Sequence, residues 1–330
     1  MASDSKQIDM DTDSIIRELA TFSSRGITEL SIHDEKLSED QKALENLVVS
    51  IQKDSPDLFV SLRIQAGAIS RNLIRELQKI YCSIEIPMTG TEKGGSLLLD
   101  KKIYSNKADA LNGADLVFGF DLEYGLRKGD SFKAFRDRLD FSTTLYPNHI
   151  DFPQLEDSSI VSRPTGTYST RELDFSADIA FACKTFYSSG RAVPWFNSVI
   201  KALKISPSAF FADFSEWQTC SNCSRKSGFS PEDAKHAEIE KMQLAFIREK
   251  LEEKHKSMLF DAVSDIIRLN GAFSRVAAEG EESTIETSYN PDDLLSPFAL
   301  DIARFCDGVT MEPCRVKVFA GEDSPDYRIL

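Results

Sequence analysis

The sequence predicts an α/β fold: an incomplete parallel (βα) barrel with a mainly helical region appended after it. Three observations carry this expectation. Short runs in the first half alternate apolar and polar residues, the pattern of strands with two unlike faces. Each run is followed by a stretch of helical periodicity, and strands joined through helices pair in parallel. Beyond about Ser162 the alternation stops and helical periodicity takes over.

Taken in order, Ile15, Ile16, Leu19 and Phe22 share one helical face, which Gly26 would close. In ITELSIHD, Leu30 and Ile32 point one way and Glu29, Ser31 and His33 the other. Ser38 with Gln41 reads as a capping box for a helix whose stripe is Leu44, Leu47, Val48 and Ile51, and Pro56 ends the unit. LFVSLRIQ then sets Val60, Leu62 and Ile64 against Ser61, Arg63 and Gln65. Ser70 opens the next helix, with Leu73, Ile74 and Leu77 on its face, and CSIEIP opposes Cys82, Ile84 and Ile86 to Ser83 and Glu85.

A loop at Gly94 and Gly95 and a helix from Ile103 to Leu111 lead to the stretch around which the first half is organised, ADLVFGFDLEYGL. Leu116, Phe118, Phe120 and Leu122 form its bulky face; Val117, Gly119, Asp121 and Glu123 form a small or acidic one. NHIDFPQL ends the series, with Ile150 and Phe152 opposed to His149 and Asp151, and Pro153 marks an edge or the strand's end. Closed eight-stranded barrels fill their interior with branched apolar side chains. Roughly five strands offering Ser31, His33, Arg63, Glu85, Asp121 and His149 inward predict an open, wet lumen in which a small-molecule ligand could sit. The same alternation also fits an antiparallel sheet with one face in water, under which these residues carry no function.

The expected division is a flexible N-terminus over 1–12, the partial barrel over 13–161 and the helical extension over 162–330. In the extension Ser169 and Glu172 make a capping box, and Ser230 with Pro231 begins a long charged helix through Met242, Phe246 and Leu251. Trp195 and Phe196 are expected to dock a helix. Residues 280–290 read as a loose acidic linker.

Composition narrows the function. The 39 basic against 53 acidic residues give a net charge of −14, which argues against nucleic acid and anionic membrane surfaces as partners. The N-terminal residues lack an apolar core and no stretch approaches a membrane span, so a cytoplasmic protein is expected. Six dispersed cysteines do not form a disulfide framework. Cys220 and Cys223 make a C-x-x-C, and Cys306 with Cys314 would complete a four-thiolate zinc site if the tail folds back. Cys82 and Cys183 sit among apolar residues as core fillers.

The succession IIRELATFSSRGITELSIHDEKL, SPDLFVSLRIQAGAISRNLIRELQKIYCSIEIPMTGT, FGFDLEYGL and LDFSTTLYPNHIDFPQLE resembles the partial barrel of radical S-adenosylmethionine enzymes. More narrowly it resembles the subgroup in which a cobalamin-binding domain precedes the barrel. Where that subgroup carries proline and glycine after the strand, this sequence has Arg127 and Lys128 before Gly129. The resemblance implies that Glu85 faces the cofactor's ribose, and that Asp121 and Gln154 line its pocket. It also implies a four-iron cluster on a C-x-x-x-C-x-x-C triplet, which this sequence does not contain. HDEKL stands where the family's amino-group-binding glycines belong. The first strand, the cluster loop and the cobalamin domain are expected to be missing ahead of the helix that begins near Asp13.

The expectation is therefore a barrel of radical S-adenosylmethionine descent without an iron-sulfur cluster, serving as a noncatalytic ligand-binding or protein-interaction module. S-adenosylmethionine and zinc remain open as ligands. The alternative is a component of a radical S-adenosylmethionine enzyme whose cluster comes from a partner chain; that partner would complete the sheet edge at Leu30 and Ile32.

Overall fold

A computed structural model describes residues 12–322 and 324–330, so the flexible segment expected over 1–12 lies, apart from Thr12, outside the described residues. In chain order the elements are α1 (Thr12–Phe22), β1 (Glu29–Ile32), α2 (Gln41–Asp54), β2 (Phe59–Arg63), α3 (Arg71–Leu77), β3 (Tyr81–Pro87), β4 (Thr91–Lys93), β5 (Ser96–Leu98), α4 (Lys101–Asn112) and β6 (Val117–Asp121). There follow α5 (Phe132–Thr143), β7 (His149–Asp151), α6 (Pro153–Glu156), α7 (Thr170–Cys183), α8 (Phe196–Leu203), α9 (Pro207–Cys220), α10 (His236–Glu253) and α11 (Phe260–Glu279). The chain ends with β8 (Ser283–Thr287), α12 (Pro291–Leu294), α13 (Ile302–Gly308), β9 (Cys314–Ala320) and β10 (Pro325–Ile329). The fold class is the expected one, α/β with a parallel sheet and a mainly helical C-terminal part.

The chain divides into two compact units, one running to Thr89 and including Asp100–Asp121, the other formed by Gly90–Leu99 and Leu122–Leu330. In the first, β1, β2, β3 and β6 lie side by side, all parallel, which removes the antiparallel reading. One face of this sheet is dry: Val60, Leu62, Ile84, Ile86, Phe118 and Phe120 are completely buried, as are Leu44, Leu47, Val48 and Ile51 of α2 and Leu73 and Leu77 of α3. Full burial of each such side chain contributes about 1.5–3 kcal/mol, so this layer fixes the strand order. Among the described residues β1 is an edge, with no strand on its outer side.

Two caps in this unit distinguish the carboxylate from the hydroxyl. Ser70 caps α3 as expected, accepting from Leu73 N. The capping box at Ser38 does not form: Asp40 caps α2, taking the amides of both Lys42 and Ala43. Asp40 Oδ1 alone accepts both amides, and Ser38 Oγ accepts instead from Gln65 N at 2.9 Å.

In the second unit Gly94 and Gly95, both with positive φ, turn the β4–β5 hairpin. Lys128 pairs with Glu92 of that hairpin at 3.6 Å, and Arg127 with Glu123, so both cations of this loop are held by carboxylates. Gly125 has φ +64°, and a Cβ there would meet Leu173 Cδ2 at 2.3 Å. The helical core gathers on Phe186, whose ring lies 4.8 Å from that of Phe210 and 5.0 Å from that of Phe214, with Trp195, Phe196 and Phe246 around it. Trp195 and Phe196 thus anchor α8 as expected.

Two expectations are corrected here. Ser230 accepts from Asp233 N in a single turn, and the long helix starts only at His236, whose buried imidazole is fixed by the Gly190 carbonyl. Residues 283–287, read as linker, form β8 in an antiparallel sheet ordered β10-β9-β8 beside α11. Ile285 and Thr287 are its buried positions opposite Val316 and Cys314, a single apolar residue and a β-branched threonine in alternation with acids. No helix among the described residues is long and apolar enough to cross a membrane.

Candidate functional site

Strand register builds the polar face of the first unit in two layers. Ser31, Ser61 and Ser83 stand opposite one another on β1, β2 and β3. Two residues further along, Arg63, Glu85 and Gly119 stand opposite one another on β2, β3 and β6. Residues two apart on a strand share a face, so the serines lie beside the charged layer. Ser61 and Ser83 both donate to Glu85 Oε1, at 3.4 and 3.1 Å. Gly119 adds no side chain beside Glu85.

Arg63 reaches past β3 to β6, where its Nε lies 2.7 Å from Asp121 Oδ2. Both groups are largely withdrawn from water, with 28 % and 12 % of their side-chain surface accessible. His33, the first residue beyond β1, is exposed on this side. Partial desolvation of its ring and the Arg63 charge lower its pKa, against an opposing pull from Asp121. Its imidazole is therefore neutral near pH 7, one nitrogen donating and the other accepting. A cation, two carboxylates and a neutral imidazole lie toward the carboxyl ends of these parallel strands, with the serine hydroxyls one layer behind them, on the side where α/β folds commonly hold ligands. They can orient a polar molecule through hydrogen bonds and charge.

The other two expected residues belong to the second unit. His149 and Asp151 share one face of β7, and His149 Nδ1 pairs with Asp151 Oδ2, which fixes the ring's orientation. Gln154, on α6, donates through Nε2 to Tyr124 O at 2.6 Å and Ser162 Oγ at 3.1 Å. It braces the segment that follows β6, while its buried Oε1 accepts no hydrogen bond among the described residues. The structure thus brings His33, Arg63, Glu85 and Asp121 onto one face of the first unit and gives His149 and Gln154 partners of their own in the second. Ser61, Ser83 and Asp151 are additional polar members; the alternation placed them on the same faces, but nothing in the sequence marked their hydrogen bonds.

The cysteines do not assemble. Cys220 is exposed and Cys223 buried, while Cys306 and Cys314 are half-buried. Cys314 Sγ donates to Glu312 O at 3.2 Å. Among the described residues no group of three or more metal-ligating side chains includes a cysteine. The four-thiolate site expected at Cys220, Cys223, Cys306 and Cys314 is therefore not gathered in this structure. Cys82 and Cys183 are buried, and burial, joined for Cys183 by the Asp151 charge, pushes both thiols up, Cys82 to about 11. Neither is a thiolate at neutral pH.

No protein-family model matches the chain, and no curated protein does. Among solved structures it is similar to the radical S-adenosylmethionine methyltransferase TsrM from Kitasatospora setae with cobalamin and a 4Fe-4S cluster bound, at 12% identity and a TM-score of 0.36 over 44% of this chain. The same enzyme with tryptophan substrate and an S-adenosylmethionine analogue gives the same identity and score. The matches span 29% and 30% of those chains.

Proposed function

We propose that this chain is a noncatalytic binding module whose first unit takes a small polar ligand at the carboxyl ends of its parallel strands. The observation that carries the reading is the Arg63–Asp121 ion pair on the polar sheet face, with Glu85 and its two serines beside it and His33 at the strand end. Such a face binds a molecule with hydroxyls and charges of both signs, and S-adenosylmethionine is the candidate supplied by the sequence resemblance. The part of the reading without radical chemistry rests on the sequence, which contains no C-x-x-x-C-x-x-C triplet.

The test is calorimetric titration of the full chain with S-adenosylmethionine and S-adenosylhomocysteine, paired with anaerobic iron and zinc analysis. Saturable binding that weakens in Asp121→Asn, with no iron, is the expected result. Stoichiometric iron would overturn the noncatalytic part, and absence of binding to either compound would remove this ligand class.

One observation favours a second reading, a component completed by a partner chain: β1 has no strand on its outer side among the described residues, and Glu29 and Ser31 there are exposed. Hydrogen exchange of the β1 amides separates the two. Fast exchange in the isolated chain that becomes slow in a defined complex supports a partner strand, and slow exchange in the isolated monomer excludes it.

A further inference from the structure

Within the second unit a cleft of about 560 Å³ opens between the first half of α11 and the facing ends of β8 and β9. Asp261, Ser264, Asp265 and Arg268 form its helical wall, spaced so that all four leave one side of α11. Glu286–Ser288 and Pro313–Arg315 form the opposite wall, and Arg248 of α10 closes one side with its guanidinium 4.3 Å from the Phe260 ring centre.

Three guanidiniums from three separate elements therefore line one cleft, and none of them is ion-paired among the described residues. Arg268 spends one donor on the Glu286 carbonyl at 2.9 Å, and Arg315 faces Glu286 in the β8–β9 register without pairing with it. The buried acid of the cleft is already engaged: Asp265, 3% exposed, accepts the amides of Ser288 and Tyr289. Each guanidinium carries five donors in a planar fork that matches carboxylate and phosphate oxygens, so most of the donors on these walls are left for a ligand. The volume is that of a small-molecule site. Asp261 and Glu286, both exposed at the cleft, work against any anion, so binding there relies on the forked donors of the three guanidiniums and not on a net positive charge.

We propose that this cleft binds a small oxyanion, a phosphate monoester or a carboxylate of metabolite size, clamped by Arg248, Arg268 and Arg315. The assignment uses none of the first-unit residues and stands or falls separately from the function proposed above.

The test is calorimetric titration of the full chain with inorganic phosphate and, separately, with succinate, at constant ionic strength with chloride as control. The expected result is saturable binding of one probe, weakened at least tenfold in the Arg268→Gln/Arg315→Gln double variant. Arg304→Gln, an exposed arginine outside the cleft, should bind as the wild type does. Phosphate alone assigns a phosphate ester, and succinate alone assigns a carboxylate. Should the double variant fail to fold, Arg248→Gln is the substitute, with at least threefold weakening expected. No saturable binding of either probe, or unchanged binding in a natively folded double variant, overturns the proposal.

Discussion

Arg63 Nε and Asp121 Oδ2 lie 2.7 Å apart although β2 and β6 are not neighbours, so the ion pair spans the strand between them. This makes His33 a reporter of the pair. Arg63 lowers its pKa and Asp121 raises it, with desolvation the larger cause. Arg63→Gln is expected to move the His33 titration up and Asp121→Asn to move it down, read by the ring proton shifts in NMR. Movement of both in the same direction would show that His33 does not sense the pair. Each substitution removes one partner of a partially buried ion pair and is expected to cost about 1–3 kcal/mol in urea denaturation.

A second ion pair is deeper. Arg138 donates to both oxygens of Asp130, at 3.0 and 3.2 Å, and to Glu123 O at 2.8 Å, while Asp130 Oδ2 also takes Gly125 N at 2.8 Å. Both residues are nearly inaccessible, at 2% and 3%. Asp130→Ala removes the carboxylate from a buried guanidinium that keeps only Glu123 O, and the acceptor of the Gly125 and Ser131 amides, and should lower the unfolding free energy by about 3–5 kcal/mol. A loss no larger than that of an exposed pair such as Lys133–Asp137 would refute the buried geometry.

These two pairs mark the limit of what the sequence reveals. Alternation along LFVSLRIQ and ADLVFGFDLEYGL placed Arg63 and Asp121 on one polar face, because a two-residue period dictates which side of the sheet a residue takes. It could not say that Arg63 would pass over Glu85 to meet Asp121, since strand order and register are set by long-range packing. Asp130 lies in a polar loop, LRKGDS, where nothing local distinguishes a buried acid from a solvated one. The C-terminal sheet escaped for a related reason: β8 shows two buried positions among Glu281, Glu282, Thr284 and Glu286, too short a pattern to outweigh its charge.

Gly190 follows the π-helical turn Lys184–Ser189 and touches the helical core directly. Its carbonyl accepts Gln243 Nε2 at 3.0 Å, and a Cβ on Gly190 would lie 2.1 Å from that nitrogen and 2.2 Å from Phe186 O. Side-chain atoms can move, but the Phe186 carbonyl is backbone beneath the aromatic cluster. Gly190→Ala should therefore lower the thermal midpoint by several degrees, the consequence of about 2–3 kcal/mol of overpacking and lost hydrogen bonds. Gly166→Ala is the control, with open space at its Cβ, and should leave the midpoint within a degree or two.

The last prediction concerns pH and Asp265. Burial pushes its carboxyl up to about 6, against the opposing pull of the Ser288 and Tyr289 amides and of Arg268. The folded chain thus holds this proton more tightly than the unfolded chain, where an aspartate titrates near about 4. The stabilisation is fully present below the unfolded value and is lost as pH rises through the folded one. Asp265→Asn stays neutral throughout and keeps an acceptor for the two amides. The difference between variant and wild type should therefore move in the variant's favour between pH 4 and 7, by up to about 3 kcal/mol. Taking that difference cancels groups common to both proteins, among them His236, whose pKa burial lowers to about 4 and whose contribution runs the opposite way. Urea denaturation at four pH values measures it. Parallel profiles for the two proteins would mean that Asp265 is ionised in the fold at ordinary acidity, and that its burial costs the chain nothing that titrates.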